Sequence, residues 1–552
     1  MELINKTLGQ VLHDAAVVMG EREMIKYTLH DYRRTWKEFD EETDQIARAF
    51  MAMGIEKGDH VAIWAANIPE WILTLYACAK TGAVLVTVNT AYKVFELEYL
   101  LRQSDTKMLV MGKGAKDASY PEITYELCPT LRTSRVGEFC DVALPRLETV
   151  VYCGEEDEPG MLNFKRFYDI ANTVSVEELN ERKASLSPDD LVNMQYTSGT
   201  TGFPKGVMLT HKNIINNGKS IGDCMNFSDK DKLCITVPFF HCFGLVLALM
   251  AALTHNTAIV PIDYFKPVWV MDALQSEKCT AVHGVPTMYI SMLEHKDFKN
   301  YKFNLRTGIM AGSPCPVEVM KKVVDEMGMS EITISYGQTE ASPVCTMTTT
   351  HDSLELRVAT VGKALPGIEC KIVDPETGED APDGVAGEFC ARGYNIMKGY
   401  YNMPEATAQA IDKNGWLHSG DLATRDEKGY YKITGRIKDM IIRGGENIYP
   451  KEIEEFLYTQ EAVSDVQVIG VPSRQYGEEI MACIILKKGY SMTSDEVKNL
   501  VLANMARHKV PKYVEFVESF PLTASGKIQK YKMRDWAVKL LHLEDEADIE
   551  TA

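Results

Sequence analysis

No run of the sequence is apolar enough to cross a membrane. The most apolar stretch, residues 245–253, falls far short of the ~20 residues that a membrane-spanning helix needs, so it predicts a buried helix instead. The first residues lack a basic flank followed by an apolar segment, and the last residues carry no retention or peroxisomal signal. These absences predict a protein without a transmembrane segment and with a cytoplasmic location.

Basic residues are also too few to indicate a nucleic-acid partner. Lys and Arg number 59 against 78 Asp and Glu, which gives a formal net charge of −19. Because phosphate backbones are bound by clustered Lys and Arg, we expect no nucleic-acid-binding function. Biased tracts are absent as well, and a chain of 552 residues exceeds what one hydrophobic core usually organises. We therefore expect two or more globular domains.

The 13 cysteines show no Cys-x-x-Cys spacing, and the closest pair is Cys234 and Cys242. Structural zinc sites usually take ligand pairs at short spacing. The sequence therefore predicts free, buried thiols and no structural zinc site.

What the sequence does contain is an alternation of strand-like and helix-like periods from Gly54 onward. Such alternation predicts right-handed crossover units, a mostly parallel sheet and an α/β fold. The strands are expected at residues 60–65, 83–88 and 106–111, and the helices at residues 69–81 and 96–103.

Two further apolar runs, residues 280–286 and 307–314, end in Gly or Pro. Loops are expected there, at strand ends, and ligands of open α/β sheets bind at the carboxyl ends of the strands. Gly312, Ser313 and Pro314 are therefore candidate nucleotide-binding residues.

Glycine and proline become more frequent after Leu365, which predicts a small antiparallel or distorted barrel region. From Lys438 strands and helices alternate again, over a length that suits one compact α+β domain. We accordingly predict a large N-terminal domain, residues 1–436, which includes the barrel-like region, and a small C-terminal domain, residues 437–552.

The most specific feature is the segment 196–207, which is rich in hydroxyl side chains and glycines and contains one lysine. Glycines let backbone amides approach a ligand, hydroxyls donate hydrogen bonds to anionic oxygens, and lysine supplies charge, which together suit a polyphosphate. The segment is not a Walker loop, because Pro204 precedes Lys205 and Gly206 follows it. A flexible linker is the alternative, but apolar residues on both sides weaken it. The candidate phosphate ligands are Thr197, Ser198, Gly199, Thr200, Thr201, Gly202 and Lys205.

This segment resembles the signature of the adenylate-forming superfamily, which includes acyl-CoA synthetases, beetle luciferases and peptide-synthetase adenylation domains. Four further blocks resemble motifs of that family and occur in the expected order, so the resemblance covers nearly the whole chain. They are residues 336–340, 415–421, 435–439 and 521–527.

The resemblance implies an enzyme that uses ATP, Mg²⁺ and coenzyme A. Attack of a carboxylate on the α-phosphorus of ATP brings two anions together, so catalysis needs positioning and cations rather than a base. By similarity to the family, Lys527 contacts the α-phosphate and the attacking carboxylate, and Thr339 contacts a phosphate. Glu340, with Thr197, is similar to the Mg²⁺ ligands of the family, whose hard cation takes oxygen donors.

Other matches concern the nucleoside and the second half-reaction. Tyr336, followed by Gly337, is similar to the adenine-stacking aromatic of the family; without the resemblance it would be a core residue. Asp421 matches the carboxylate that accepts hydrogen bonds from both ribose hydroxyls. Arg436 matches a cationic residue that contacts the same ribose. Lys438 matches the family's hinge, about which the C-terminal domain swings. Gly444 and Gly445 match the glycines that line the pantetheine path.

The identity of the acid is indicated by residues 233–261, which contain no Asp, Glu, Lys or Arg. Amino-acid-activating relatives place an aspartate here, and an ammonium buried without a partner is unfavourable. We therefore expect an acid with an uncharged tail, fatty or aryl, and favour a medium-chain fatty acid. His241 is expected to gate the site or to orient the carboxylate, with a satisfied core histidine as the alternative.

Three further alternatives remain open at this stage. The adenylate could pass to a carrier-protein thiol or to an oxidative reaction, or the protein could bind nucleotide without turnover. A homodimer would fit the family, although no sequence feature establishes one.

Overall fold

The computed structural model describes residues 2–115, 118–139, 141–197, 204–312, 315, 317–375, 377–443, 446–473, 476–505, 507–523 and 528–547. The chain divides into two compact units. The first comprises Met1–Glu369 and Ala391–Leu417, and the second comprises Cys370–Cys390 and His418–Ala552.

An eight-stranded sheet forms one layer of the first unit. Six of its strands, from Leu191–Thr197 at one end to Leu162–Asn163 at the other, pair in parallel with their neighbours. The other two, Lys205–Thr210 and Gly399–Tyr400, pair antiparallel. Apolar side chains of the central strands are fully buried, as parallel sheets covered on both faces require. In spatial order the strands are Gly399–Tyr400, Lys205–Thr210, Leu191–Thr197, Val84–Thr87, His60–Trp64, Thr106–Met111, Thr149–Tyr152 and Leu162–Asn163.

A second sheet of the first unit has seven strands and positions several of the predicted site residues. All neighbouring pairs are parallel except the last, which joins Glu23–Lys26 to Arg33–Thr35. In spatial order the strands are Glu331–Thr333, Thr307–Ile309, Ala281–His283, Lys232–Ile235, Ala258–Pro261, Glu23–Lys26 and Arg33–Thr35. A three-stranded sheet follows in the chain, with strands Ser335–Gly337, Val344–Met347 and Lys363–Ala364.

Helices of the first unit begin at sequence signals that satisfy their free amides. Capping boxes start four of them, at Thr7, Thr35, Ser175 and Thr210. The α-helices are Leu8–Met19, Trp36–Ala52, Pro69–Thr81, Val94–Gln103, Tyr120–Leu127, Phe167–Ile170, Val176–Ala184, His211–Cys224, Ala251–Thr254, Pro267–Ser276, Pro286–Leu293, Val317–Met327, Leu354–Ala359 and Pro404–Ala410.

The second unit contains most of a four-stranded sheet and an α+β region. The strands of the four-stranded sheet are Ile368–Val373, Gly387–Gly393, Leu417–Arg425 and Tyr431–Arg436. A five-stranded sheet follows, with strands Ile441–Arg443, Glu446–Ile448, Val463–Ser473, Gly477–Leu486 and Tyr513–Phe516. Its helices are Pro450–Tyr458, Ser494–Asn504, Lys530–Leu540 and Glu544–Ala547.

The predicted α/β class is confirmed, and the strands and helices expected between residues 60 and 111 lie within two residues of their predicted bounds. The apolar stretch 245–253 is helical and buried, also as predicted. Its first part belongs to a π-helix, Phe243–Met250, which continues as the α-helix Ala251–Thr254. Within the described ranges, the helices are all too short or too polar to traverse a bilayer.

Candidate active site

The carboxyl ends of three parallel strands in the seven-stranded sheet are followed by most of the predicted site residues that the structure describes in the first unit. His241 follows Lys232–Ile235, and Gly312 follows Thr307–Ile309. The segment from Tyr336 to Glu340 follows Glu331–Thr333. Because carboxyl ends of parallel strands share one edge of a sheet, these residues are brought to the edge at which α/β proteins bind ligands.

The segment that contains Tyr336 and Thr339 is held by close backbone packing. Ser335–Gly337 pairs antiparallel with Val344–Met347, and a Cβ on Gly337 would lie 1.8 Å from the carbonyl oxygen of Pro343. Only glycine fits there. The Tyr336 ring is half-buried, which leaves part of its surface accessible, and Thr339 is buried at the start of a 3₁₀ turn, Thr339–Ala341.

His241 and Thr339 approach the same sulfur atom. The Cys242 thiol lies 3.6 Å from the Thr339 hydroxyl and 3.8 Å from His241 Nδ1. His241 Nδ1 also accepts a hydrogen bond from the backbone N–H of Phe243, at 3.1 Å. His241 is half-buried, so part of its side chain is accessible to solvent.

The predicted phosphate-binding segment is anchored at both ends in the eight-stranded sheet. Thr197 and Lys205 are partners at the ends of two antiparallel strands. The Pro204 carbonyl accepts a hydrogen bond from the Tyr99 hydroxyl, at 3.0 Å. Lys205 Nζ lies 4.9 Å from the centre of the Tyr400 ring, within range of a cation–π contact.

Tyr400 connects this pair of strands to Glu340. It lies in Gly399–Tyr400, the strand that pairs with Val207, and its hydroxyl donates a hydrogen bond of 2.8 Å to the Glu340 carboxylate. Burial, followed by the negative charge of Glu340, raises the pKa of Tyr400 well above its usual value, so the hydroxyl stays protonated as a donor. Lys205, Tyr400 and Glu340 therefore form one connected group.

Glu340 and Thr197 fit the metal role that the resemblance implies. Mg²⁺ takes carboxylate and hydroxyl oxygens and bridges to phosphate oxygens. The Glu340 carboxylate is half-buried and already fixed by Tyr400, and Thr197 lies at the strand end beside Lys205. Both residues offer the required oxygen atoms.

Three residues that support this region were not identified from sequence. Asn395 is fully buried, and its amide donates to the Ala341 carbonyl, which fixes the turn after Thr339. His283 donates from Nε2 to the carbonyl of Leu247 in the π-helix and accepts from the Ile309 amide. Tyr400 is the third. None lies near its partner in the chain, so no local pattern indicates these roles.

Asp421 and Arg436 are brought together in the second unit. They face each other on antiparallel strands, and Arg436 Nε lies 3.1 Å from Asp421 Oδ1. Asp421 is buried except for 7% of its surface, and its backbone N–H donates to the Ser419 hydroxyl. Lys438 is exposed in the short turn Ile437–Asp439 that follows. A carboxylate held beside a guanidinium suits recognition of neighbouring hydroxyls.

Ten predicted site residues lie outside the described ranges. They are Ser198, Gly199, Thr200, Thr201, Gly202, Ser313, Pro314, Gly444, Gly445 and Lys527.

The mostly parallel sheet, the paired strands that end at Thr197 and Lys205, and the Glu340 carboxylate bound by Tyr400 are typical of an α/β enzyme that binds a nucleotide. The chain belongs to the AMP-binding enzyme family: the family model matches residues 12–401, and the model of the AMP-binding enzyme C-terminal domain matches residues 452–527. The resemblance noted in the motifs is thereby confirmed.

Related proteins match over nearly their whole length. The putative acyl-CoA synthetase YngI of Bacillus subtilis is 52% identical over 98% of this chain and 99% of its own. The mitochondrial medium-chain acyl-CoA ligase ACSF2 of Danio rerio is 40% identical over 98% of this chain and 90% of its own.

Solved structures show the same fold. ATP-bound MatB from Rhodopseudomonas palustris superposes with a TM-score of 0.82 at 27% identity, over 97% of this chain and 100% of its own. The anthranilate CoA ligase AuaEII, in complex with anthranoyl-AMP, superposes with a TM-score of 0.83 at 26% identity, over 98% of this chain and 99% of its own.

Proposed function

We propose that this protein is an AMP-forming acyl-CoA synthetase that activates a medium-chain fatty acid with ATP and transfers the acyl group to coenzyme A. The observation that carries the proposal is the connected group of Lys205, Tyr400 and Glu340, together with Thr339, the neighbour of Glu340 in the chain. Such a group suits the triphosphate of a nucleotide, and the relatives that match end to end are named as acyl-CoA synthetases or ligases.

In the first half-reaction the substrate carboxylate attacks the α-phosphorus and pyrophosphate leaves. Because the carboxylate is ionised at neutral pH, this chain supplies position and positive charge rather than a base. Lys205 and the hydroxyls of residues 197–201 contact the phosphates, and Thr339 donates to a phosphate oxygen. Glu340 and Thr197 would hold Mg²⁺, which would supply positive charge to the phosphate oxygens.

The nucleoside is held by three residues in this proposal. Tyr336 stacks on the adenine, Asp421 accepts hydrogen bonds from both ribose hydroxyls, and Arg436 contacts the same ribose. The Asp421–Arg436 pair supports this role because the guanidinium orients a carboxylate that is otherwise buried.

The second half-reaction needs a change of access, because pyrophosphate must leave before a pantetheine thiol enters. We propose that a C-terminal domain, residues 437–552, turns about Lys438 between the two steps. Lys527 serves adenylation, and Gly444 and Gly445 line the path of the thiol. The family supplies these four assignments, and the exposed position of Lys438 in a short turn is compatible with a hinge.

Preference for an uncharged tail rests on the apolar stretch around the π-helix. Every residue of Phe243–Met250 is buried, and residues 233–261 contain no charged side chain. An acid with an ammonium group would find no partner there. The ACSF2 relatives are named as medium-chain ligases, which favours a medium chain over an aryl acid.

The proposal is tested by incubating the purified protein with ATP, Mg²⁺, octanoate and coenzyme A while AMP and octanoyl-CoA are measured. We expect both products in equal amounts, and AMP formation that accelerates with coenzyme A. AMP release that is indifferent to coenzyme A would instead support transfer to another acceptor. A series of acids from acetate to palmitate, with benzoate included, assigns the chain length.

Two expectations stay predictions. A homodimer is checked by light scattering of the purified protein. The cytoplasmic location is checked by cell fractionation, and the ACSF2 relatives are themselves named as mitochondrial proteins.

A further inference from the structure

Glu388, Cys390 and His418 converge on one point in the second unit. Glu388 and Cys390 are two residues apart on Gly387–Gly393, so their side chains leave the same face of the sheet. His418 lies on the neighbouring strand, Leu417–Arg425. One ligand atom from each of the three lies within 4.8 Å of the others, and among the residues that the structure describes this is the one such group of three.

Two distances within this group are close to those between the ligands of a coordinated cation. Cys390 Sγ lies 3.5 Å from His418 Nδ1. In a tetrahedral zinc site with ordinary bond lengths, a sulfur and a nitrogen ligand are about 3.5 Å apart. Glu388 Oε2 lies 2.8 Å from the same Nδ1, and it would need to move back by only about 0.6 Å to reach the separation of an oxygen and a nitrogen ligand.

The ligand types select the class of cation. A thiolate, an imidazole and a carboxylate together suit Zn²⁺ or a similar thiophilic divalent ion rather than Mg²⁺. The His418 side chain is 34% exposed, which gives access from solvent. Cys spacing did not indicate this site, because its ligands come from two strands 28 residues apart in the chain.

The other oxygen of Glu388 connects this group to Asp421. Glu388 Oε1 accepts a hydrogen bond from the Gly420 backbone N–H, at 3.0 Å. Gly420 has a φ of 70° and precedes Asp421, the residue assigned to the ribose. Movement of the Glu388 carboxylate toward a cation therefore acts on the turn that positions Asp421.

We propose that Glu388, Cys390 and His418 form a binding site for Zn²⁺ or a similar thiophilic cation, and that its occupancy alters nucleotide binding through the Gly420–Asp421 turn. Binding displaces the thiol proton of Cys390 to solvent. The Nδ1 proton that His418 donates to Glu388 moves to Nε2 by exchange with solvent, so Nδ1 is free to bind the cation and no oxidation or reduction is involved. The effect on nucleotide binding rests on the proposed function of Asp421, whereas the cation site itself does not.

The site is tested on metal-free protein by titration with Cd²⁺, which gives an ultraviolet charge-transfer band when a thiolate binds it. We expect one equivalent of this band, its loss in Cys390→Ser, and its displacement by Zn²⁺. Cys370→Ser is the matched control, because it removes another thiol of the same sheet and should keep the band. A band of equal size in Cys390→Ser, or no band in the unmodified protein, would overturn the site.

A second variant guards against misfolding of Cys390→Ser, since that residue is fully buried. His418→Asn keeps the thiol but loses the imidazole ligand, and we expect Zn²⁺ affinity to fall by about ten-fold or more. An unchanged affinity in a folded His418→Asn protein also counts against the site.

The coupling is tested by measuring ATP binding calorimetrically at saturating Mg²⁺, with and without one equivalent of Zn²⁺. We expect Zn²⁺ to change the ATP affinity of the unmodified protein and not that of Cys390→Ser. Equal changes in both would overturn the coupling. If Cd²⁺ binds as expected but no acyl-CoA forms with any acid, the proposed function fails while the metal site stands.

Discussion

The Tyr400 hydroxyl donates a hydrogen bond of 2.8 Å to the Glu340 carboxylate, although 60 residues separate them in the chain. This contact joins Gly399–Tyr400, an edge strand of the eight-stranded sheet, to the turn Thr339–Ala341, which lies beyond the seven-stranded sheet in the chain. It fixes the carboxylate that we assign to Mg²⁺ beside Lys205, whose ammonium lies over the Tyr400 ring.

Tyr400→Phe removes this hydrogen bond and keeps the aromatic ring. A hydrogen bond to a charged group contributes about 1.5–3 kcal/mol, so we expect the KM for Mg-ATP to rise by about ten-fold or more. Tyr401→Phe is the control, because it loses a comparable bond to Asp105, at 2.9 Å, away from the proposed phosphates. Steady-state kinetics distinguish the two, and equal KM values for both variants would contradict the role of Tyr400.

Asp421→Asn should weaken ATP binding while the fold persists. An amide offers one acceptor oxygen instead of two, and its partner Arg436 is 57% exposed, so little stability depends on the pair. We expect a KM for ATP raised by about ten-fold and a nearly unchanged melting temperature. Asp383→Asn removes the partner of Arg425 in the same unit and should leave the KM for ATP unchanged. A normal KM in Asp421→Asn would refute the ribose assignment.

Gly337→Ala and Gly435→Ala should differ sharply in stability. A Cβ at residue 337 would lie 1.8 Å from the Pro343 carbonyl oxygen, whereas one at residue 435 meets no atom within 4 Å. Backbone must therefore move at residue 337, which displaces the segment that carries Tyr336 and Thr339. We expect a clearly lowered melting temperature for Gly337→Ala alone. Equal melting temperatures would show that the close packing at residue 337 is not rigid.

Stability should fall in mild acid partly because of His283. Burial lowers the pKa of His283 to about 4, against about 6.5 in an unfolded chain. Below pH ~6.5 the unfolded chain takes up a proton that the folded chain does not, so the free energy of unfolding decreases as the pH falls toward 4. The contribution is about 2 kcal/mol between pH 7 and pH 5.

Denaturant unfolding at both pH values measures this decrease. His283→Gln should reduce it by that amount, although the variant is less stable at every pH. His211→Gln provides an independent comparison, because burial also lowers the pKa of His211 to about 4. If His283→Gln shows the same pH dependence as the unmodified protein, His283 titrates normally in the folded state.

Lys527→Ala should separate the two half-reactions. We expect adenylation to be lost, while coenzyme A still reacts with supplied acyl-AMP, because only the first step places negative charge on the α-phosphate beside the attacking carboxylate. Lys532→Ala is the control for the loss of a nearby positive charge. Persistence of both steps in Lys527→Ala would show that another group stabilises the first.

Local patterns were sufficient where an element has its own start and stop signals. The helix Pro69–Thr81 was predicted with its observed bounds, because proline occupies its first turn and Gly82 ends it with a φ of 82°. The π-helix Phe243–Met250 was predicted only as a buried helix. Every one of its residues is apolar and buried, so the sequence contains no periodicity that could indicate its hydrogen-bond register.

Most of the candidate site could be predicted from motifs, but its supporting contacts could not. Thr339, Glu340 and Asp421 were identified by their neighbours in the chain. Asn395 and Tyr400 lie in segments without a motif and act on residues more than 50 positions away. Such contacts depend on which strands pair, and pairing is decided by the packing of the whole core.

The sequence by itself determined the α/β class, the family and the candidate residues for nucleotide binding, because these depend on local periodicity and on short blocks of defined chemistry. Only the tertiary structure decided that Tyr400 holds Glu340 and that Glu388 and Cys390 meet His418. Each of these contacts joins strands or turns distant in sequence, and the free energy that brings them together comes from burial of apolar surface across entire sheets.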